Sequence, residues 1–191
     1  MTQEVEIEFK NLLTIQEYNQ LAEDLFSHAE TIKQTNDYFE TPAFDLKENG
    51  SALRIRQKNG TYTLTLKEPH PDGLLETHDK LTEKEYLSWT SGTPLEAPNV
   101  TAQLEKMSIH VSALNYLGSM VTFRQEIPYQ DTLLVLDKSI YLDTEDAELE
   151  LEATSKSHGE KVFNNLIENY QIPFRDTPPK IARFFNQKQA M

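Results

Sequence analysis

Glu4-Val5-Glu6-Ile7-Glu8-Phe9-Lys10 alternates charged and apolar residues without interruption. Side chains along a strand point to opposite faces with a period of two, so Glu6, Glu8 and Lys10 share one face, and Val5, Ile7 and Phe9 the other. Two carboxylates and an ammonium in one row can hold a divalent metal beside a phosphate. The plainer reading is a half-buried strand with its charged face in water, and this segment alone does not separate the two. The pattern recurs down the chain, however, and the recurrence carries the argument.

Eight segments read as strands: residues 4–10, 36–41, 51–58, 61–67, 74–80, 121–128, 133–141 and 147–154. The third and fourth are joined by Lys58-Asn59-Gly60-Thr61, the two-residue Asn-Gly connection of a type I′ hairpin. That turn sets the register: Arg56 faces Thr63 and Arg54 faces Thr65, so Arg54, Arg56, Thr63, Thr65 and Lys67 lie on one face. Leu53, Ile55, Tyr62, Leu64 and Leu66 line the opposite one. Later strands repeat the division, with Thr122, Arg124 and Glu126 against Val121, Phe123 and Ile127, and Glu148, Glu150 and Glu152 against Leu149 and Leu151.

Helices fall between the strands. Thr14-x-x-Glu17, Thr82-x-x-Glu85 and Ser157-x-x-Glu160 have the form of capping boxes, each leading into apolar residues at helical spacing. Leu104, Met107 and Ile109, then Leu114 and Leu117, suggest further helical turns before Gly118. Pro178 and Pro179 precede a last helix expected over Lys180 to Gln187, and the stretch Ser91 to Asn99 reads as a connector.

If the helices cover the apolar rows, the charged rows face inward. An eight-stranded antiparallel sheet can close on itself, with an interior able to hold one small ligand. The alternative is an open sheet with helices on one side and a charged face in solvent. Residue choice favours closure: Lys10, Arg54, Arg56, Lys67 and Arg124 stand among Glu6, Glu8, Glu76, Asp137, Glu148 and Glu150, a set of mutually compensating charges. At about 4 Å and an effective dielectric of 20, opposite charges attract by about 4 kcal/mol. The expected fold is α+β, a closed eight-stranded antiparallel barrel with surrounding helices.

Composition bounds the function. The 191 residues suit one domain spanning 1–191. With 31 Asp and Glu against 18 Lys and Arg, the formal net charge is −13, so the molecule as a whole should repel nucleic-acid duplexes, and an anion must find a local basic pocket. The absence of cysteine excludes disulfides and thiolate chemistry and fits a reducing compartment. No secretory leader or membrane-spanning run is evident, so a cytoplasmic location and no membrane partner are expected. The five histidines, at 28, 70, 78, 110 and 158, lack zinc-ligand spacing, although His78 shares a face with Glu76. There is no Gly-x-x-x-x-Gly-Lys loop, so side chains rather than backbone must bind phosphate. Oligomeric state is not legible.

Glu6-Ile7-Glu8-Phe9-Lys10 resembles the ExExK signature of the CYTH domain, the triphosphate tunnel metalloenzymes, and the resemblance runs over nearly the whole chain. Tyr38-Phe39-Glu40-Thr41-Pro42 is similar to that family's Tyr-x-Asp-Thr-Pro segment, with Glu in place of Asp. Leu53-Arg54-Ile55-Arg56, Thr65-Leu66-Lys67, Glu76, Arg124, Leu136-Asp137, Glu148-x-Glu150 and Lys180-Ile181-Ala182-Arg183 follow in the family's order, and the YjbK-like bacterial subgroup is the nearest in pattern. The resemblance implies a tunnel that binds a small-molecule triphosphate with Mg²⁺ or Mn²⁺. Lys10, Arg54, Arg56, Lys67, Arg124 and Lys180 would hold phosphoryl oxygens, with Glu76 beside them in the substrate site. Glu6, Glu8, Asp137, Glu148 and Glu150 would hold metal, and Glu6, Glu8, Lys67 and Tyr38 would serve catalysis, Tyr38 at a position that pairs with the strand lysine in some family triphosphatases. Arg forks suit phosphate, Lys supplies a point charge, and Mg²⁺ or Mn²⁺ prefers oxygen ligands. The activity implied is hydrolysis of linear triphosphates, inorganic tripolyphosphate ahead of nucleoside or thiamine triphosphate. An adenylate cyclase, or a non-catalytic polyphosphate or nucleotide sensor, is the alternative.

Overall fold

The computed structural model of the chain describes residues 3–191. Its strands are β1 (Gln3–Leu13), β2 (Ile32–Glu40), β3 (Ala52–Lys58), β4 (Thr61–His70), β5 (Gly73–Leu81), β6 (Asn115–Tyr129), β7 (Thr132–Tyr141) and β8 (Thr144–Ala153). They form a closed antiparallel barrel in the order β1-β5-β4-β3-β2-β6-β7-β8. All eight expected strands are present, most of them longer than the sequence pattern indicated. The helices are α1 (Ile15–Asp24), α2 (Asp45–Glu48), α3 (Glu83–Thr90), α4 (Pro98–Lys106), α5 (Lys156–Asn169) and α6 (Lys180–Ala190).

By contact density the chain forms two compact units, one of residues up to Val5 with Gln34–Met120, the other of Glu6–Lys33 with Val121–Met191. In the first, the β3–β4 hairpin has the register its turn dictates: Arg54 opposes Thr65, Arg56 opposes Thr63 and Lys58 opposes Thr61. Asn59 and Gly60 both take positive φ, 50° and 72°, as a type I′ turn requires. The apolar row of Leu53, Ile55, Leu64 and Leu66 is fully buried against Phe39, Leu46, Trp89, Val100 and Leu104. Burying side chains of this size stabilises by about 1.5–3 kcal/mol each relative to exposure, which is why this row faces the helices and the charged row faces the barrel interior.

The second unit repeats the arrangement. Leu134, Leu136, Leu149 and Leu151 of β7 and β8 pack on Leu21 of α1 and on Val162, Phe163 and Leu166 of α5. Phe9 joins this core through Phe163, their ring centroids 6.0 Å apart, which turns Glu8 and Lys10 to the other face of β1. Helix α5 comes close to the sheet because Gly159 has no side chain: a Cβ there would stand 2.6 Å from Cβ of Ala153 and from Cε2 of Phe9.

Thr14 and Thr82 form reciprocal capping boxes with Glu17 and Glu85. Two helix expectations are corrected. The α5 cap is Ser155, whose side chain accepts from the backbone N–H of His158, so Ser157 lies inside the helix rather than ahead of it. Leu114 and Leu117 do not continue a helix: a single 3₁₀ turn covers Val111–Ala113 and β6 is already running at Asn115. The apolar spacing there matched two short elements in succession, α4 and the 3₁₀ turn, which a single period could not resolve.

Candidate active site and metal centre

The inner face of the first unit is basic, with its carboxylate placed by register. Lys67 and Glu76 oppose each other on β4 and β5 and form an ion pair, and Nη2 of Arg54 lies 4.0 Å from Glu76 Oε1. His78 Nε2 is 3.3 Å from Glu76 Oε2 and 3.3 Å from Glu4 Oε1, while its Nδ1 is 3.0 Å from Thr65 Oγ1. Burial alone would raise the Glu76 carboxyl, but Lys67 and Arg54, with His78 adding, pull it down to about 2. Arg56 Nε donates to Asn36 Oδ1 at 3.1 Å. Tyr38 opposes Arg54 on the neighbouring strand and is buried, its hydroxyl 3.8 Å from Met120 Sδ.

In the second unit the charges converge on three buried carboxylates. Register lines up Arg124 with Asp137 and Asp137 with Glu148, and puts Lys10 opposite Glu150. Arg124 makes a forked contact with Asp137, Nε to Oδ1 at 2.8 Å and Nη2 to Oδ2 at 2.6 Å, and reaches Glu150 Oε2 at 2.7 Å. Lys180, the first residue of α6, places Nζ 2.9 Å from Asp137 Oδ2 and 2.7 Å from Glu150 Oε1, and pairs with Glu148. Glu8 and Lys10 are bonded at 2.7 Å, and Glu6 is half-buried on the same face of β1.

This cluster is electrostatically tense. Burial would raise Asp137, but Lys180 and Arg124 outweigh it and hold its carboxyl well below the usual range. Glu150 goes the other way: burial raises it, Arg124 opposes, and the charges of Asp137 and Glu8 add to the rise. Lys180 is pushed down to about 7, by burial first, against the pull of Asp137 and with Arg124 adding to the fall. One buried ammonium thus stands where three carboxylates meet.

The family model for the CYTH domain matches residues 4–185. The chain belongs to the CYTH family. It is 45% identical over 190 residues to the triphosphatase candidate YjbK of Bacillus subtilis, covering 99% of this chain and 98% of that protein. The solved structure of an adenylate cyclase candidate from Bacillus halodurans is 39% identical with a TM-score of 0.93, covering 97% of this chain and all, 100%, of the other. A Hippeastrum adenylyl cyclase candidate, HpAC1, with dominant triphosphatase activity, matches with a TM-score of 0.79 over 95% of this chain and 96% of its own; at 23% identity it supports the CYTH fold alone.

Ligand oxygens of Asp137, Glu148 and Glu150 lie within 4.8 Å of one another, a hard-oxygen set of the kind Mg²⁺ or Mn²⁺ takes. Nζ of Lys180 stands among them, in contact with all three carboxylates. Glu4, Glu76 and His78 form a second group of this spacing in the first unit.

Several residues around this CYTH site have roles that pattern reading missed. Arg183 sits one turn after Lys180, with Nη2 2.5 Å from Glu148 Oε2 and Nε 2.9 Å from Asp146 Oδ2, so it fixes the carboxylate Glu148 and the end of α6 together. Asp146 also accepts from the Tyr141 hydroxyl at 2.8 Å. The approach to α6 is pinned to β1: Asn11 Oδ1 accepts from the backbone N–H of Arg175 at 2.6 Å, the backbone N–H of Leu12 donates to Thr177 at 2.8 Å, and Arg175 pairs with Glu17 at 2.8 Å. Glu40 is buried and accepts from the backbone N–H groups of Thr41, Leu46 and Lys47, anchoring α2 rather than touching the charged row. Asn11 on an otherwise apolar row, and Glu40 and Arg183 inside quoted motif segments, were the available signals.

Proposed function

We propose that this chain hydrolyses linear triphosphates inside the barrel, with inorganic tripolyphosphate as its minimal substrate, and that both units act as one domain. The observation that carries the reading is the buried triad Asp137, Glu148 and Glu150 bridged by Arg124 and Lys180: carboxylates for a divalent cation, interleaved with cations suited to phosphoryl oxygens. Family membership and the triphosphatase description of the 45% identical relative support it.

Asp137, Glu148 and Glu150, with Glu6 and Glu8, would hold Mg²⁺ or Mn²⁺. Such an ion, when bound, neutralises phosphoryl oxygens and favours attack at phosphorus. Arg54, Arg56, Lys67, Lys10, Arg124 and Lys180 bind and align the chain, which confines the phosphoryl charge and lowers the barrier by positioning and electrostatics. Water adds to the terminal phosphorus as the anhydride P–O bond breaks, giving orthophosphate and pyrophosphate. Tyr38, Glu76 and Lys67 are assigned to the substrate site, Glu76 holding Lys67 in place through their ion pair. A cytoplasmic location fits a triphosphate substrate, and among the described residues no helix is long and apolar enough to cross a membrane.

Cyclisation is the second reading, favoured by the description of the 39% identical Bacillus halodurans relative. A cyclase must also hold the ribose so that its 3′ hydroxyl meets the α-phosphorus, whereas a clamp alone positions tripolyphosphate for water. A phosphate-release screen across tripolyphosphate, ATP and thiamine triphosphate with each metal tests the proposal. Release of orthophosphate supports it, and tight binding without turnover assigns the chain to sensing.

A further inference from the structure

Gln34 and Asn36 lie two residues apart on β2, on the face that carries Tyr38, and their side chains are fully buried at 1% and 0% exposure. Arg56 Nε donates to Asn36 Oδ1. A guanidinium only donates, so this bond fixes the amide: the oxygen is committed to Arg56, and Nδ2 is left as a donor pointing elsewhere. Among the described residues Asn36 Nδ2 has no hydrogen-bond partner, and neither amide atom of Gln34 has one. Nε of Arg54, opposite Tyr38 on the neighbouring strand, is likewise unpaired there. Buried polar groups are nearly always satisfied, and an orphaned one costs stability that an apolar side chain of the same shape would not. Three such groups on one face are therefore a cost that the fold alone does not require.

The two groups whose orientation is fixed, Asn36 Nδ2 and Arg54 Nε, are both N–H donors, and the Gln34 amide can turn its own N–H₂ beside them. What completes this face must bring acceptors. We propose that Asn36 and Gln34 form a neutral amide subsite that donates hydrogen bonds to phosphoryl oxygens of the triphosphate chain, alongside Arg54 and Arg56. The proposal rests on the triphosphate reading above and extends it. Arginine brings a directional fork and lysine a point charge, and amides add further directional donors without adding positive charge to an already crowded row. The subsite thus adds to the selection of the phosphate chain's position without changing the charge of the row.

The test uses tripolyphosphate as the probe, with KM from phosphate release, affinity from calorimetry and the melting temperature of each ligand-free protein. Gln34→Met keeps the length and removes the polar atoms; its melting temperature should hold or rise while KM and Kd increase about tenfold, equivalent to about 1.4 kcal/mol. Asn36→Asp retains an oxygen for Arg56 but replaces the donor with an anion, and should weaken tripolyphosphate further, with kcat less affected than KM. Wild-type KM and Kd in both variants would overturn the subsite while leaving the triphosphate reading intact. A fall in the Gln34→Met melting temperature with unchanged affinity would make Gln34 a structural residue and overturn its part. If the unaltered chain neither binds nor cleaves any triphosphate, the reading and the subsite fall together.

Discussion

Glu148 meets Lys180, Arg183 and the proposed metal-ligand set at once. Glu148→Gln keeps its shape, and because it removes one of several like charges it relieves repulsion as well as losing a ligand. Turnover should be lost with the fold intact, and Mn²⁺ affinity by calorimetry should fall about 10–100-fold, the range found when a metal site loses a supporting group. Unchanged affinity would remove Glu148 from the metal set. Arg56→Ala should instead leave metal affinity near normal and weaken triphosphate about 10–100-fold, the loss expected for a charge-assisted hydrogen bond of about 1.5–3 kcal/mol. Glu76 gives a pH signature. Its folded pKa of about 2 lies below the ordinary carboxyl value of 4.5, so its pairing stabilises the fold above pH 4.5 and that contribution is lost as pH falls toward 2. Urea unfolding should show wild type losing up to about 3 kcal/mol more than Glu76→Gln across this window. Parallel acid limbs would count against the Lys67 and Arg54 pairing. The ionic rows were legible in the sequence because alternation and the hairpin register place Arg54, Arg56 and Lys67 together. The roles of Arg183, Glu40 and Asn11 were not, since each depends on a partner fixed by tertiary packing or by a turn without a periodic signature.

At the scale of elements, helix α5 and the strand beneath it make the sharpest prediction. Glycine inside a helix ordinarily costs about 1 kcal/mol relative to alanine, so by propensity alone Gly159→Ala should stabilise. The geometry says the reverse, because the new methyl would meet Ala153 and the ring of Phe9 at 2.6 Å. Overpacking of this kind costs about 1–3 kcal/mol, and chemical denaturation should register the loss. A stabilised variant would show that α5 can shift outward freely. Strands were the most legible elements, since a period of two interrupted by Asn59-Gly60 leaves little freedom. Helix starts were legible where the cap residue itself was decisive, as at Thr14 and Thr82. At α5 two serines compete within three residues, and only backbone geometry shows that Ser155 closes the helix. The ends of α4 and β6 were misread because apolar spacing that continues across a 3₁₀ turn looks like one helix.

The whole chain is acidic, yet it sets arginine and lysine side chains among the carboxylates of its charged rows. A net charge of −13 repels polyanions in general, so on the proposed reading a triphosphate is drawn by the clustered Arg and Lys side chains. Residue choice favoured the closed barrel over an open sheet because so many inward charges need compensation. That α6 would carry Lys180 to the carboxylate triad does not follow from any local pattern; it depends on the segment pinned to β1 through Asn11 and Leu12. The central claim is metal-dependent hydrolysis, and product analysis tests it most directly. Purified protein is incubated with tripolyphosphate and, separately, with ATP, each with Mg²⁺ and with Mn²⁺, and the products are resolved by chromatography. The account predicts orthophosphate and pyrophosphate from tripolyphosphate, abolished by chelation and in Glu148→Gln. Cyclic AMP and pyrophosphate from ATP, with tripolyphosphate left intact, would contradict it.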